Sequence, residues 1–68
     1  MEFELEEYEY IELNKLLKIL NLVESGGQAN MMISEGEVQL NGELEIRKRK
    51  KLFRGDSIEF MGQQVEII

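Results

Sequence analysis

The chain has 68 residues, a formal net charge of −6, and neither cysteine nor histidine. A chain this short has room for one domain with a small core. It has no disulfide or thiolate chemistry, and it lacks the commonest general base and metal ligand. No apolar run approaches the roughly 18 residues that span a bilayer, and no basic-then-apolar start resembles a signal peptide. The expectation is a single soluble cytoplasmic domain over residues 1–68, a monomer without metal, cofactor or membrane partner.

The distribution of charge says more than its sum. Residues 1–28 carry seven acids, Glu2, Glu4, Glu6, Glu7, Glu9, Glu12 and Glu24, against Lys15 and Lys18. Arg47 to Arg54 holds six basic residues and no acid. Because Coulomb interactions are screened beyond about 8–10 Å at cellular salt, an acidic molecule can still present a positive face.

Met1 to Tyr10 begins by alternating, with Phe3 and Leu5 opposite Glu2, Glu4 and Glu6, the period of a half-buried strand. Tyr8 and Tyr10 fall on the other parity, so an edge strand over residues 2–10 needs a break near Glu6–Glu7 to bring the four apolar groups to one face. Leu13, Leu16, Leu17 and Leu20 form the stripe of a core-facing helix. Asn14 is the expected N-cap, with fraying over Asn21–Val23. Lys15 and Lys18 lie on its wet side, either as solvated charges or as auxiliary phosphate contacts.

Ser25-Gly26-Gly27-Gln28 has capping-box spacing. Ala29, Met32 and Ile33 supply an apolar face, and Gly36 is placed to stop the helix. Gly26 and Gly27 each cost about 1 kcal/mol in helix propensity relative to alanine. Two readings account for them: close packing of another segment on the backbone, or approach of a phosphate to free amides at the positive helix end. Neither a P-loop nor a dinucleotide-binding glycine pattern is present.

Val38 and Leu40, then Leu44 and Ile46, flank Asn41-Gly42, a strong turn signal. A strict two-residue hairpin would pair Val38 with Glu45 and put the two apolar pairs on opposite faces. A three-residue or bulged connection reunites them and is the expected form, with Asn41 or Gly42 left-handed. Arg47 to Arg54 cannot be a buried strand; it is expected as a solvated strand end or loop pinned by Leu52, with Phe53 packed or stacking. Gly55-Asp56 makes the next turn, Ile58 and Phe60 point inward, and a last strand over residues 64–68 closes the sheet.

Six cations within eight residues repel one another unless solvent, nearby glutamates or a polyanion compensates. Contact with nucleic-acid phosphates is the favoured reading, since arginine grips phosphate bidentately and lysine acts as a mobile point charge. The cations are not on an amphipathic helix, which disfavours a membrane surface. The carboxylates fall mainly on wet faces, with no discernible catalytic pairing, so no enzyme is expected.

The ordered series ELNKLL, SGGQANMMISEGEVQLNGE and RKRKKLFRGDSIEF resembles the alpha-L RNA-binding domain named after the fourth protein of the small ribosomal subunit. Within that family it is most similar to the small stand-alone bacterial proteins that consist of little more than the domain. The resemblance covers about residues 11–60. It implies an α+β fold of the alpha-L RNA-binding type, two short helices packed on a small, mainly antiparallel sheet of four to five strands. By position, Ser25 is similar to the serine that starts the second helix, Ala29, Ile33 and Gly36 to its packing and exit residues, and Asn41-Gly42 and Gly55-Asp56 to the two conserved-type turns. The broad family usually has arginine where this chain has Gly26, and often a basic residue where it has Asn30. The stand-alone proteins look similar to this chain in both respects.

The function so implied is non-catalytic binding of structured RNA, ribosomal RNA above all, with a role in ribosome assembly or translation. Arg49, Lys50 and Lys51 are the expected phosphate contacts, with Arg47, Lys48 and Arg54 alongside. The second-helix start, Ser25, Gly26, Gly27 and Gln28, is expected to receive a further phosphate, with Lys15 and Lys18 auxiliary. The alternative is a protein-interaction module docking through its acidic strand edge or basic loop, with a ribonucleoprotein particle as the candidate partner.

Overall fold

The leucine stripe forms its helix, but the start is capped from elsewhere in the chain. In the computed structural model, which describes residues 1–68, α1 spans Leu13–Ile19 with Glu12 at the N-cap and no side-chain cap. Asn14, the expected cap, is instead the second helical residue, and its Nδ2 donates to Asn30 Oδ1 at 3.0 Å. The capping is done by backbone: the Leu13 amide donates to the Lys50 carbonyl at 2.9 Å and the Asn14 amide to the Lys48 carbonyl at 3.0 Å. Two of the amides that every helix start leaves open are satisfied this way. At the other end the expected fraying is replaced by an ordered closure. Asn21 is left-handed with φ 58°, its amide donates to Lys18, and the Leu22 amide returns to Leu17, the Schellman pattern.

The second helix, α2, spans Gly26–Ser34. The Gln28 amide donates to Ser25 Oγ at 3.1 Å, as the capping box requires. The Gln28 side chain goes one residue further than expected, its Oε1 accepting from the Glu24 amide at 2.6 Å. Gly36, with φ 85°, ends the helix by a second Schellman closure, Gly36 to Ile33 and Glu37 to Met32.

Seven short strands follow the pattern β1 Glu2–Phe3, β2 Ile11–Glu12, β3 Val38–Leu40, β4 Glu43–Leu44, β5 Lys51–Leu52, β6 Ser57–Phe60 and β7 Gln63–Ile67. Five form a sheet in the order β1-β7-β6-β3-β4, and β2 pairs with β5 in a separate two-stranded sheet. Only β1 and β7 run parallel. The fold is thus α+β, two helices on a mainly antiparallel sheet, with a β2–β5 ribbon that the sequence pattern did not reveal.

The hairpin between β3 and β4 departs from expectation. It is a strict two-residue connection pairing Leu40 with Glu43 and Gln39 with Leu44. Asn41 at φ 52° and Gly42 at φ 85° are both left-handed, the geometry of a type I′ turn, whose twist matches that of the strands it joins. Turn geometry therefore outweighed the gathering of apolar groups on one face. Val38 is buried while Leu44 and Ile46 remain 65% and 56% exposed. Met61 and Gly62, at φ 52° and 80°, repeat the same turn between β6 and β7.

The amino-terminal segment is also shorter than expected as a strand. After β1 the chain is turned by Glu6, at φ 58°, so the break falls where the parity change placed it. It buries Leu5 but leaves Tyr8 and Tyr10 exposed. The helices and one sheet face enclose thirteen buried apolar residues, among them Leu13, Leu16, Leu17, Ala29, Ile33, Val38, Ile58, Val65 and Ile67. The other sheet face carries Gln39, Glu59, Gln64 and Glu66, all exposed. No helix is long and apolar enough to cross a membrane.

Asn41 and Asp56 lock the two turns together. Asn41 Nδ2 donates to Asp56 Oδ1 at 3.0 Å, Asn41 Oδ1 accepts from the Ser57 amide at 2.9 Å, and Asp56 Oδ2 accepts from the Phe53 amide at 2.8 Å. Hydrogen bonds to a charged acceptor contribute more than neutral ones. Asp56→Ala is therefore expected to lower unfolding stability by about 1–2 kcal/mol in urea denaturation, with the m-value unchanged.

Candidate nucleic-acid interface

The cationic loop is held by its backbone, which leaves its side chains free. Lys48 and Lys50 supply the carbonyls that cap α1, and the Lys50 amide closes a turn onto the Arg47 carbonyl at 3.1 Å. Leu52 anchors the far end in the core with no exposure, and β5 pairs Leu52 with Ile11 and Lys51 with Glu12. Lys48 and Arg49 are exposed and Lys50 is half-buried, and none of the three lies in an ion pair; the ion pairs in the molecule are Lys15–Glu12 and Arg47–Glu45.

Arg47 is engaged differently. Its Nε and Nη2 donate to Glu45 Oε2 and Oε1 at 2.9 and 3.0 Å, and its amide donates to Glu45 Oε2 at 2.9 Å. Glu45 is only 6% exposed, the one buried charged residue, because the strict hairpin sets it opposite Val38 on the core face. The hydrogen bonds from the Arg47 side chain hold its carboxyl below the usual range; burial opposes this, and the Arg47 amide and the charges of Arg47 and Lys50 assist. A bidentate guanidinium partner is the arrangement that tolerates such a buried carboxylate. Sequence reading counted Glu45 among the nearby glutamates that could neutralise the basic run, and missed its burial because it set aside the strict two-residue pairing with Val38.

The remaining expected site residues are dispersed. Lys51 sits with its Nζ 4.8 Å from the Tyr10 ring centre, and Tyr10 contacts Phe53 with ring centres 6.0 Å apart. Arg54 lies in the next turn, where its guanidinium donates to the Glu6 carbonyl. Lys15 is 3.6 Å from Glu12, and Lys18 is in the last turn of α1. Ser25 and Gln28 are occupied with capping. A methyl group on Gly26 would meet nothing within 4 Å, and one on Gly27 would meet only Ser25 Oγ at 3.9 Å. Close packing by another segment is therefore not what these glycines serve, and the space over the amino end of α2 is open.

A family model described as the S4 domain matches residues 3–68. The chain belongs to the S4 domain family. The relatives of this S4 domain include the Escherichia coli (strain K12) "Putative RNA-binding protein YbcJ", 39% identical over 66 residues that cover 97% of this chain and 94% of that one. The Bacillus subtilis (strain 168) "Probable ribosome maturation protein RlbA" is 41% identical over 54 residues, 79% of this chain and 76% of that one. The solution structure of E. coli YbcJ, described as revealing an alpha-L motif involved in RNA binding, matches with a TM-score of 0.75 at 39% identity, over 98% of this chain and 85% of that chain. The alpha-L fold implied by the sequence resemblance is the fold observed.

The Glu45 carboxyl titrates lower in the folded protein than in the unfolded chain, whose value is about 4.3. Its contribution to stability is present above that value and is lost as pH falls through the lower folded one. The urea midpoint of the wild type is expected to drop more between about pH 6 and about pH 3 than that of Glu45→Gln, so the two curves converge in acid.

Proposed function

We propose that this S4 domain is a non-catalytic RNA-binding module that grips structured RNA, ribosomal RNA being the target class, through backbone phosphates, and that it acts in ribosome assembly or translation in the cytoplasm. The observation that carries this reading is the loop of Lys48, Arg49 and Lys50, cations without an ion-pair partner seated at the amino end of α1. Positive charge is unfavourable there, since that end carries the positive pole of the helix, and each misplaced charge costs about 0.3–1 kcal/mol near the first turn. A polyanion relieves both the mutual repulsion and the misplacement. The names of YbcJ and RlbA, which refer to RNA binding and ribosome maturation, point the same way.

In this reading Lys48, Arg49 and Lys50 carry the phosphate contacts. Lys51 stands beside them over Tyr10, with Lys15 and Lys18 along α1. Arg47, already neutralised by Glu45, shapes the loop more than it grips RNA, and Arg54 is the outlying contact. The open amides at Gly26 and Gly27 take a further phosphate. Contacts of this kind fix position and register without reading sequence, so recognition is by the shape of an A-form or folded RNA.

Equilibrium binding of the nuclease-treated protein to ribosomal RNA and duplex DNA across a salt series tests the proposal. RNA binding is expected to be tighter than DNA binding and to fall steeply with salt. The Lys48→Ala/Arg49→Ala/Lys50→Ala variant is expected to melt no lower than the wild type, and higher as the misplaced charges are removed, while the slope of log K against log salt flattens by about 2–3. An unchanged affinity and slope refutes the loop assignment. Gly26→Ala, for which there is room, is expected to leave stability undiminished and to weaken RNA binding severalfold; full binding by this variant removes the α2 amides from the interface.

A further inference from the structure

Apart from the loop of Lys48, Arg49 and Lys50, the molecule has a cleft of about 510 Å³ between the amino-terminal segment and the outer side of α1. Phe3, Leu5, Tyr8, Tyr10, Ile11 and Ile19 form its apolar walls. Tyr8 is 70% and Ile19 58% exposed, although neither belongs to a turn that needs an apolar residue. Its volume falls within the range of about 300–1,000 Å³ typical of binding pockets. We propose that this cleft docks a segment of another protein that carries arginine or lysine interleaved with apolar side chains.

Charge selects that occupant. The segment from Glu2 to Glu12 carries six glutamates and no cation, and Glu9 and Glu12 among them line the cleft. Lys15, the one cation lining the cleft, is held by Glu12 at 3.6 Å. A phosphate backbone is repelled from such a segment, because the cations beside it, Lys15, Lys51 over Tyr10 and Arg54 at the Glu6 carbonyl, leave its six carboxylates in excess. A cationic segment is attracted, and its apolar side chains remove the walls from water. The acids extend along the segment beyond the cleft itself, which matches an extended chain better than a compact ligand. β1 is also the terminal strand of its sheet, so its outer edge is open to pairing with such a chain. The molecule thus carries two faces of opposite sign, meeting where Lys51 stands opposite Glu12 in the β2–β5 register.

The test is a titration of the intact protein, followed by amide chemical shifts, with a heptapeptide of alternating arginine and leucine. The companion probes are the same-charge arginine–serine peptide and a twelve-nucleotide oligouridylate. The arginine–leucine peptide is expected to bind at least tenfold more tightly than the arginine–serine peptide and to shift Tyr8, Tyr10 and Ile19. The surface variant Tyr8→Ser/Ile19→Ser is expected to lose that tenfold preference while its ribosomal RNA affinity is unchanged. Equal affinity for the two peptides, shifts confined to other surfaces, or displacement of the peptide by oligouridylate at the cleft overturns the proposal. Because the readout is peptide binding, its result stands apart from that of the RNA titration.

Discussion

Helix α1 starts without a side chain to receive its first amides, and the structure of the basic loop follows from that shortage. The carbonyls of Lys48 and Lys50 fill the role, which requires the chain after β4 to curl over the helix start instead of continuing along the sheet. The β2–β5 ribbon extends the same connection by one pair of strands, and Leu52 and Leu13 below it are fully buried. A loop with this many like charges would otherwise be expected to stay extended and solvated. Here its backbone is fixed while its charged ends remain free, so the repulsion among them is retained in the folded protein.

The hairpin before the loop is the second constraint. A type I′ turn admits one register, and in that register Glu45 faces inward where an apolar residue would ordinarily sit. The buried carboxylate is tolerated because Arg47, two residues on, returns a bidentate grip and its own amide. This pair shapes the entry to the loop and removes one cation from the free set. Leu44 and Ile46 are left outside as the consequence. The Asn41–Asp56 lock ties this turn to the one that follows the loop, so the chain before and after the basic run is held together at one end of the sheet.

These anchors separate the molecule electrically. The acids of the amino-terminal segment gather along one wall and the cations along another, and the net charge of −6 describes neither. Membership of the S4 domain family fits the cationic side. The acidic cleft adds the exposed Tyr8 and Ile19 to the core residue Leu5 and to Phe3 and Ile11 packed on it, since the turn at Glu6 carries Tyr8 away from the sheet face toward which the parity argument had directed it.

Much of this was legible in the chain alone, because the signals were local. The leucine period gave α1, Ser25 with Gln28 gave the start of α2, Gly36 its end, and the charge segregation was plain from composition along the sequence. The family resemblance rested on the order of such local motifs, and the alpha-L fold followed from it. The cap of α1, the β2–β5 ribbon, the buried Glu45 and the bond between Asn14 and Asn30 were not legible, because each joins residues far apart in sequence or depends on a register chosen by turn geometry over apolar pairing. Periodicity reports which face of an element is apolar; it does not report which distant carbonyl or carboxylate will meet it. The sequence by itself determined the two helices and the sign of each surface, through propensities and charges that act over a few residues. Only the tertiary structure decided which cations stay free and where they stand, because that depends on the hairpin register that buries Glu45 beside Arg47 and on hydrogen bonds closed between segments that the chain keeps more than thirty residues apart.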